Sequence, residues 1–238
     1  MDACAGLSDA ARIAIAELAA QTYCVRCGLT TGPYALNDKK NPCGRCAGRL
    51  AGISQTARVG TFSEPLIGLV HRLKFGKAWE VAGVLAPFMY QALLRVSEEK
   101  NVPVDFLLPV PLHWTRRAKR GFNQSEELAR ETARLAGWKI RKPLKRIRRT
   151  TAQAKITAPA ARAENLNGAF FCRSDPALAG KHVWLIDDVT TTGATLHAAG
   201  LALRQLPKEC RPASVNAAVV CVTDHGSPPA TAAWTSRP

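Results

Sequence analysis

No stretch of about 18 consecutive apolar residues occurs in this chain, which on sequence grounds excludes a membrane-spanning helix. The early segment ARIAIAELAAQ has neither a basic leader nor a long apolar core, so secretion is not indicated. A cytoplasmic location without membrane insertion is the expectation. Nothing repeats at a fixed period, which argues against a solenoid or propeller. Acidic residues are scarce, 18 Asp and Glu against 33 Lys and Arg, for a formal charge of +15. Apolar content is not scarce: 238 residues that are 47% hydrophobic can bury a full core, with length to spare for a small accessory module.

The acid deficit is local. Between His113 and Arg162 stand 15 basic residues, among them Arg116, Arg117, Lys119, Arg120, Lys145, Arg146, Arg148 and Arg149, against the three acids Glu126, Glu127 and Glu131. That density suits a polyanion, either a pyrophosphate or a nucleic acid, because neutralised phosphates release condensed counterions. A solvated loop and helix face is the competing reading.

Eight cysteines in a chain expected to be cytoplasmic argue against a disulfide framework. Cys24 and Cys27 form one CxxC, and Cys43 and Cys46 a second, with fifteen residues between the pairs. Each CxxC curls two thiolates around one ion, a tight turn that Gly28 and Gly44 permit. Four sulfurs at this spacing predict a tetrahedral zinc site, structural because a closed shell leaves the metal no open position. A redox pair or unbound thiols is the weaker alternative, since a redox CxxC needs no duplicate.

Residues 1–56 therefore read as an N-terminal helix and zinc ribbon, and AGISQTARVG reads as a linker into a main domain over 57–223. PLIGLVHRLKF and WEVAGVLAPFMYQALLRV carry helical spacing, the second with a break expected near Pro87. VDFLLPVPL, HVWLIDDV and SVNAAVVCV read as buried strands, and NQSEELARETARLAG and TLHAAGLALRQL as helices. Strands that are apolar throughout and alternate with helices predict an α/β fold with a parallel sheet covered on both faces. The tail 224–238 reads as disordered.

In such a sheet ligands bind beyond the carboxyl ends of strands, where VWLIDDVTTTGAT delivers Asp187 and Asp188. The turn that follows leads into a helix. Its backbone amides at Gly193 and Ala194, with the hydroxyls of Thr191, Thr192 and Thr195, suit a phosphate at the positive helix end. A phosphate cradle beside vicinal carboxylates matches a ribose 5-phosphate, its 2- and 3-hydroxyls donating to the acids. Two acids also suit a divalent ion. A strand that merely ends in an acidic N-cap is the alternative. A Walker loop or a Rossmann glycine fingerprint is absent from the strand ends.

This pattern resembles the phosphoribosyl pyrophosphate (PRPP) signature of the type I phosphoribosyltransferases. PVPLHWTRRAKRGFNQSEELA at 109–129 and RRTTAQAKITAPAARAENLNGAF at 148–170 are similar to the ComF/GntX-like branch of that superfamily, which also tends to carry an N-terminal four-cysteine ribbon. Arg116, Arg120, Gly121, Asn123 and Gln124 match the RxxxRGFNQ pattern of that branch. Gln153, Arg162 and Asn165 are similar to a downstream QxxLxxxxRxxN, with Ile156 where the pattern has leucine and one residue more between it and Arg162. The resemblance implies a type I phosphoribosyltransferase-like domain over 57–223 that holds PRPP and Mg2+. In it Asp187, Asp188, Arg116 and Arg120 would act on the anomeric centre and pyrophosphate, and Asn123, Gln124 and residues 191–195 would bind the ligand. Gln153, Arg162 and Asn165 would sit in a hood over the ligand, or in a helix packed for structural reasons.

Purine-salvage relatives place an acid where this chain has Thr191, whose hydroxyl is no general base near neutral pH, so purine salvage is disfavoured. Two classes remain. One is a PRPP-dependent pentosyl transferase. The other is a handler of single-stranded DNA, as the association of ComF-like proteins with DNA uptake in natural transformation implies. Trp114, Phe122 and Trp138 are the aromatic candidates for base stacking in the basic segment.

Overall fold

A computed structural model describes residues 7–31, 43, 52–75, 78–148 and 168–223, without the side chain of Lys119. Helix α1 (Asp9–Ala20) is capped by Ser8, whose hydroxyl accepts from the Ala11 amide. Strand β1 (Thr56–Thr61) leads to α2 (Leu66–Phe75) and α3 (Val81–Lys100). After β2 (Phe106–Pro109) come α4 (Trp114–Arg120), α5 (Gln124–Ala136) and the short strands β3 (Lys139–Ile140) and β4 (Leu144–Arg146). β5 (Phe170–Cys172), β6 (His182–Thr190), α6 (Ala194–Arg204) and β7 (Ser214–Val222) complete the fold.

Five strands form one sheet in the order β1-β7-β6-β2-β3, parallel at every pairing. β4 and β5 pair antiparallel as a separate ribbon. The central strands are apolar on both faces because both faces are covered. Trp184, Ile186, Leu107, Ala218 and Val220 face a core built with α1, α2, α3 and α5. Leu108, Val183, Leu185, Ala217 and Val219 face a second core with α6 and the β4–β5 ribbon. The expected α/β fold, a parallel sheet flanked by helices, is what forms.

The stretch AGISQTARVG is more than a connection, because Thr56–Thr61 pairs with β7 in register. Its composition hid it: Arg58 and Gly60 break the apolar run. Arg58 is only 1% exposed. Its guanidinium donates to the Gly28 carbonyl at 2.7 Å and to Thr30 Oγ1 at 3.0 Å, and lies 4.7 Å from the centre of the Tyr23 ring. The break expected near Pro87 is absent: α3 runs unbroken for 20 residues with Pro87 inside. Proline costs a helix one amide donor. Here Leu85, Ala86 and Met89 on either side are buried and hold the helix to the sheet.

α5 and α6 leave the sheet in opposite directions. The chain departs from β2 onto the α3 face and from β6 onto the other. The carboxyl ends of these two adjacent strands therefore flank a crevice, the place where open α/β sheets take ligands.

Candidate functional site

β6 carries Asp187 and Asp188 into this crevice, followed by a turn at 191–193 and α6. Gly193 takes φ 75°, a left-handed conformation that a side chain would strain, and it forms the N-cap of α6. The Ala194 amide donates to Thr192 Oγ1 at 3.4 Å. Thr191 Oγ1 is buried without a hydrogen-bond partner among the described residues. A buried hydroxyl in that state loses the hydrogen bonds water would give it, which an oxyanion in the turn would restore.

The two acids have different surroundings. Asp188 is 7% exposed, and one of its oxygens lies 3.1 Å from Lys74 Nζ at the end of α2. The other acid, Asp187, accepts from Ser125 Oγ at 3.0 Å and from the Asp188 amide at 2.9 Å. Burial pushes the Asp187 carboxyl up to about 7, and the neighbouring Asp188 charge adds to this. The amide, Lys74 and Ser125 oppose the rise.

Arg146 of β4 lies in the field of Asp187, and Arg116 from the segment after β2 lies in that of Arg146. Arg116 is half-buried, and its guanidinium is lowered by burial and then by Arg120. Arg146 is lowered to about 10 by burial and by Arg116, while the Asp187 charge pulls it up. Arg146 thus feels both Asp187 and Arg116, and Arg116 in turn feels Arg120, a chain of guanidinium groups whose forked donors suit a pyrophosphate. Arg120 donates to Gln124 Oε1 at 3.1 Å and lies 5.2 Å from the centre of the Phe75 ring.

Asn123 is turned inward. Its Oδ1 caps α5 by accepting from the Ser125 amide at 3.2 Å, and its Nδ2 donates to the Val110 carbonyl at 3.1 Å. It fixes where α5 starts, and with it Ser125 beneath Asp187. Gln124 is buried, with Nε2 lacking a partner among the described residues. His113 is likewise local, its Nδ1 accepting from the Thr115 amide to cap α4. Periodicity and motif reading did not single out Lys74, Ser125 or Phe75. Nothing in the sequence links α2 to β6; only packing brings Lys74 to Asp188.

A second constellation lies at the N-terminal side. The sulfurs of Cys24, Cys27 and Cys43 lie within 4.8 Å of one another, with Cys27 and Cys43 3.5 Å apart. Thiolates at about 2.3 Å from one tetrahedral zinc would stand about 3.8 Å apart, so the three fit a shared ion. Cys24 is drawn down to about 4 by the Cys27 thiol, which is itself pushed up by that contact and by burial. Gly28 closes the knuckle at φ 76°. The knuckle is strapped to the sheet: the Thr56 amide and hydroxyl donate to the carbonyls of Val25 and Arg26, and Arg58 to that of Gly28. Cys46, Gln153, Arg162, Asn165 and the tail 224–238 lie outside the described residues.

Fold and site together define an α/β protein with an acid pair at the switch point of a parallel sheet and a cysteine knuckle on its edge strand. No family model matches the chain. It is 37% identical over 179 residues to the DNA utilization protein YhgH of Salmonella typhi, covering 74% of each chain. It is 30% identical over 193 residues to Competence protein F of Haemophilus influenzae, covering 79% of this chain and 80% of that one. To Competence protein ComFC of Bacillus subtilis it is 28% identical, over 66% of this chain and 60% of the other. The chain belongs to the ComF-like family. No helix among the described residues is long and apolar enough to cross a membrane.

Proposed function

We propose that the crevice between β2 and β6 binds PRPP or another 5-phosphoribosyl ligand, with the fold and chemistry of a type I phosphoribosyltransferase. One observation carries this reading: Asp187, Asp188 and the turn at 191–195 follow one another at the end of β6, with Arg146 in the field of Asp187 and Arg116 in that of Arg146. The turn takes the 5-phosphate, with Thr191 Oγ1 among its donors. The acids accept from the ribose hydroxyls, and the arginines take the pyrophosphate. A carboxylate pair suits Mg2+, which when bound would offset charge on the pyrophosphate. A divalent ion at Asp188 competes with Lys74 for the same oxygen, so the ammonium must move or share it.

Calorimetry with PRPP and magnesium tests the reading on the native chain and on the Asp187→Ala, Asp188→Ala double variant. Loss of heat in the variant is expected, and equal affinity in both would remove the proposal. Pyrophosphate release that needs an added small molecule would favour transfer over recognition.

A second activity is favoured by the relatives, which are named for DNA utilization and for competence. The basic segment supports binding of single-stranded DNA by this chain, through phosphate neutralisation. Such binding should fall steeply with salt and survive the double substitution. The sulfurs of Cys24, Cys27 and Cys43, with Cys46, are assigned to one structural zinc ion.

A further inference from the structure

Three large aromatic side chains stand in solvent: Trp114 at 71% exposed, Phe75 at 61% and Trp79 at 58%. Burial alone would place all three in a core. Phe75 ends α2 directly after Lys74, the partner of Asp188, and Arg120 covers its ring at 5.2 Å. Trp114 opens α4, the helix that Arg120 ends, so the two platforms are separated by the length of a seven-residue helix, about 10 Å. Between them the same helix bears Arg116 and Arg117. Phe75 meets the His71 ring at 4.9 Å and Trp114 the His113 ring at 5.7 Å, yet both stay mostly exposed, whereas Trp138 and Phe122 are partly buried against the core and less open to a base.

We infer that the Phe75–Arg120 pair and Trp114 form a stacking platform for the bases of a single strand, whose phosphates run along the arginines of α4. Exposed rings interleaved with guanidinium groups are the pattern that non-specific single-strand binding requires, since every base offers a π face while cations follow the backbone. The platform borders the crevice, so a strand lying on it would bring one sugar-phosphate unit beside Asp187 and Asp188. The inference rests on the DNA-binding reading and adds to it the residues and the contact type.

The test uses the full chain with a fluorescent oligothymidylate and an abasic oligomer carrying the same number of phosphates. The native protein should bind the thymidylate more tightly than the abasic strand. Trp114→Ala and Phe75→Ala should each weaken thymidylate binding about fivefold or more and leave abasic binding unchanged. Trp114→Phe and Phe75→Tyr, which keep a ring, should restore it. Both positions are exposed, and thermal melts matching the native protein confirm that the variants fold. No binding of either strand would overturn the DNA reading and the platform together. Equal binding of both strands by the native protein, or unchanged thymidylate binding in both alanine variants, would overturn the platform alone.

Discussion

Lys74 Nζ lies 3.1 Å from Asp188 Oδ1, joining the last turn of α2 to the end of β6. Both side chains are largely removed from water, so the pair is worth more than a surface ion pair and its disruption leaves a buried charge. Lys74→Met should lower stability by about 1–3 kcal/mol at about pH 8. Urea unfolding at that pH measures it, and an unchanged midpoint would mean that the ammonium contributes nothing there.

The Asp187 carboxyl, raised to about 7 chiefly by burial and then by Asp188, makes stability depend on pH. An unfolded chain releases that proton near ~3.9, so the folded state binds it more tightly in between. Stability from this group is full at low pH and is lost as pH rises through about 7. The unfolding midpoint should therefore decline between about pH 4 and pH 7, and Asp187→Asn should flatten that part of the curve. An equal decline in both proteins would assign the titration to other groups.

Binding of a ligand that needs ionised Asp187 has the opposite dependence. Affinity for magnesium and PRPP should rise through about pH 7, as the carboxyl gives up its proton. Calorimetry across that range gives the slope; a flat profile would separate Asp187 from the ligand.

Gly200 meets Gly52 so closely that a Cβ would stand 2.4 Å from the Gly52 carbonyl oxygen. Backbone cannot yield as a side-chain end can. His197 Nδ1 accepts from the Gly52 amide, and Arg204 donates to the Gly52 carbonyl and the Ser54 hydroxyl, so the contact locks α6 against the segment before β1. Gly200→Ala should cost about 1–3 kcal/mol and weaken any ligand held at the start of α6. A native melting curve would refute the tight fit.

About one zinc per chain is expected in the purified protein, lost in Cys24→Ser. Because Thr56 and Arg58 hold the knuckle carbonyls, chelation should speed amide exchange in Thr56–Thr61 and leave β6 protected. Unchanged exchange in β1 would show that the strap holds without metal.

Much of this was legible along the chain because it is local. β6 and β7 are long apolar runs, and α5 has its Asn123 cap and an amphipathic repeat, so periodicity alone locates them. The DDVTTTGAT stretch stands out because its acids, glycine and hydroxyls are consecutive. β1 and β3 escaped for physical reasons. β3 has two residues, too few for any period, and β1 has an arginine where an apolar residue would signal a strand.

What the order of residues determined by itself is therefore the long helices and the central strands β2, β6 and β7, the cysteine spacing and the composition of the turn after β6, since each depends on neighbours within a few positions. Folding alone decided that Lys74 meets Asp188, that Ser125 lies under Asp187, and that Phe75 receives Arg120. Those partners are 114, 62 and 45 positions apart, and only the packing of helices on a shared sheet brings them within bonding distance. Burial also set the acidity of Asp187, because the desolvation that raises it comes from the surrounding fold.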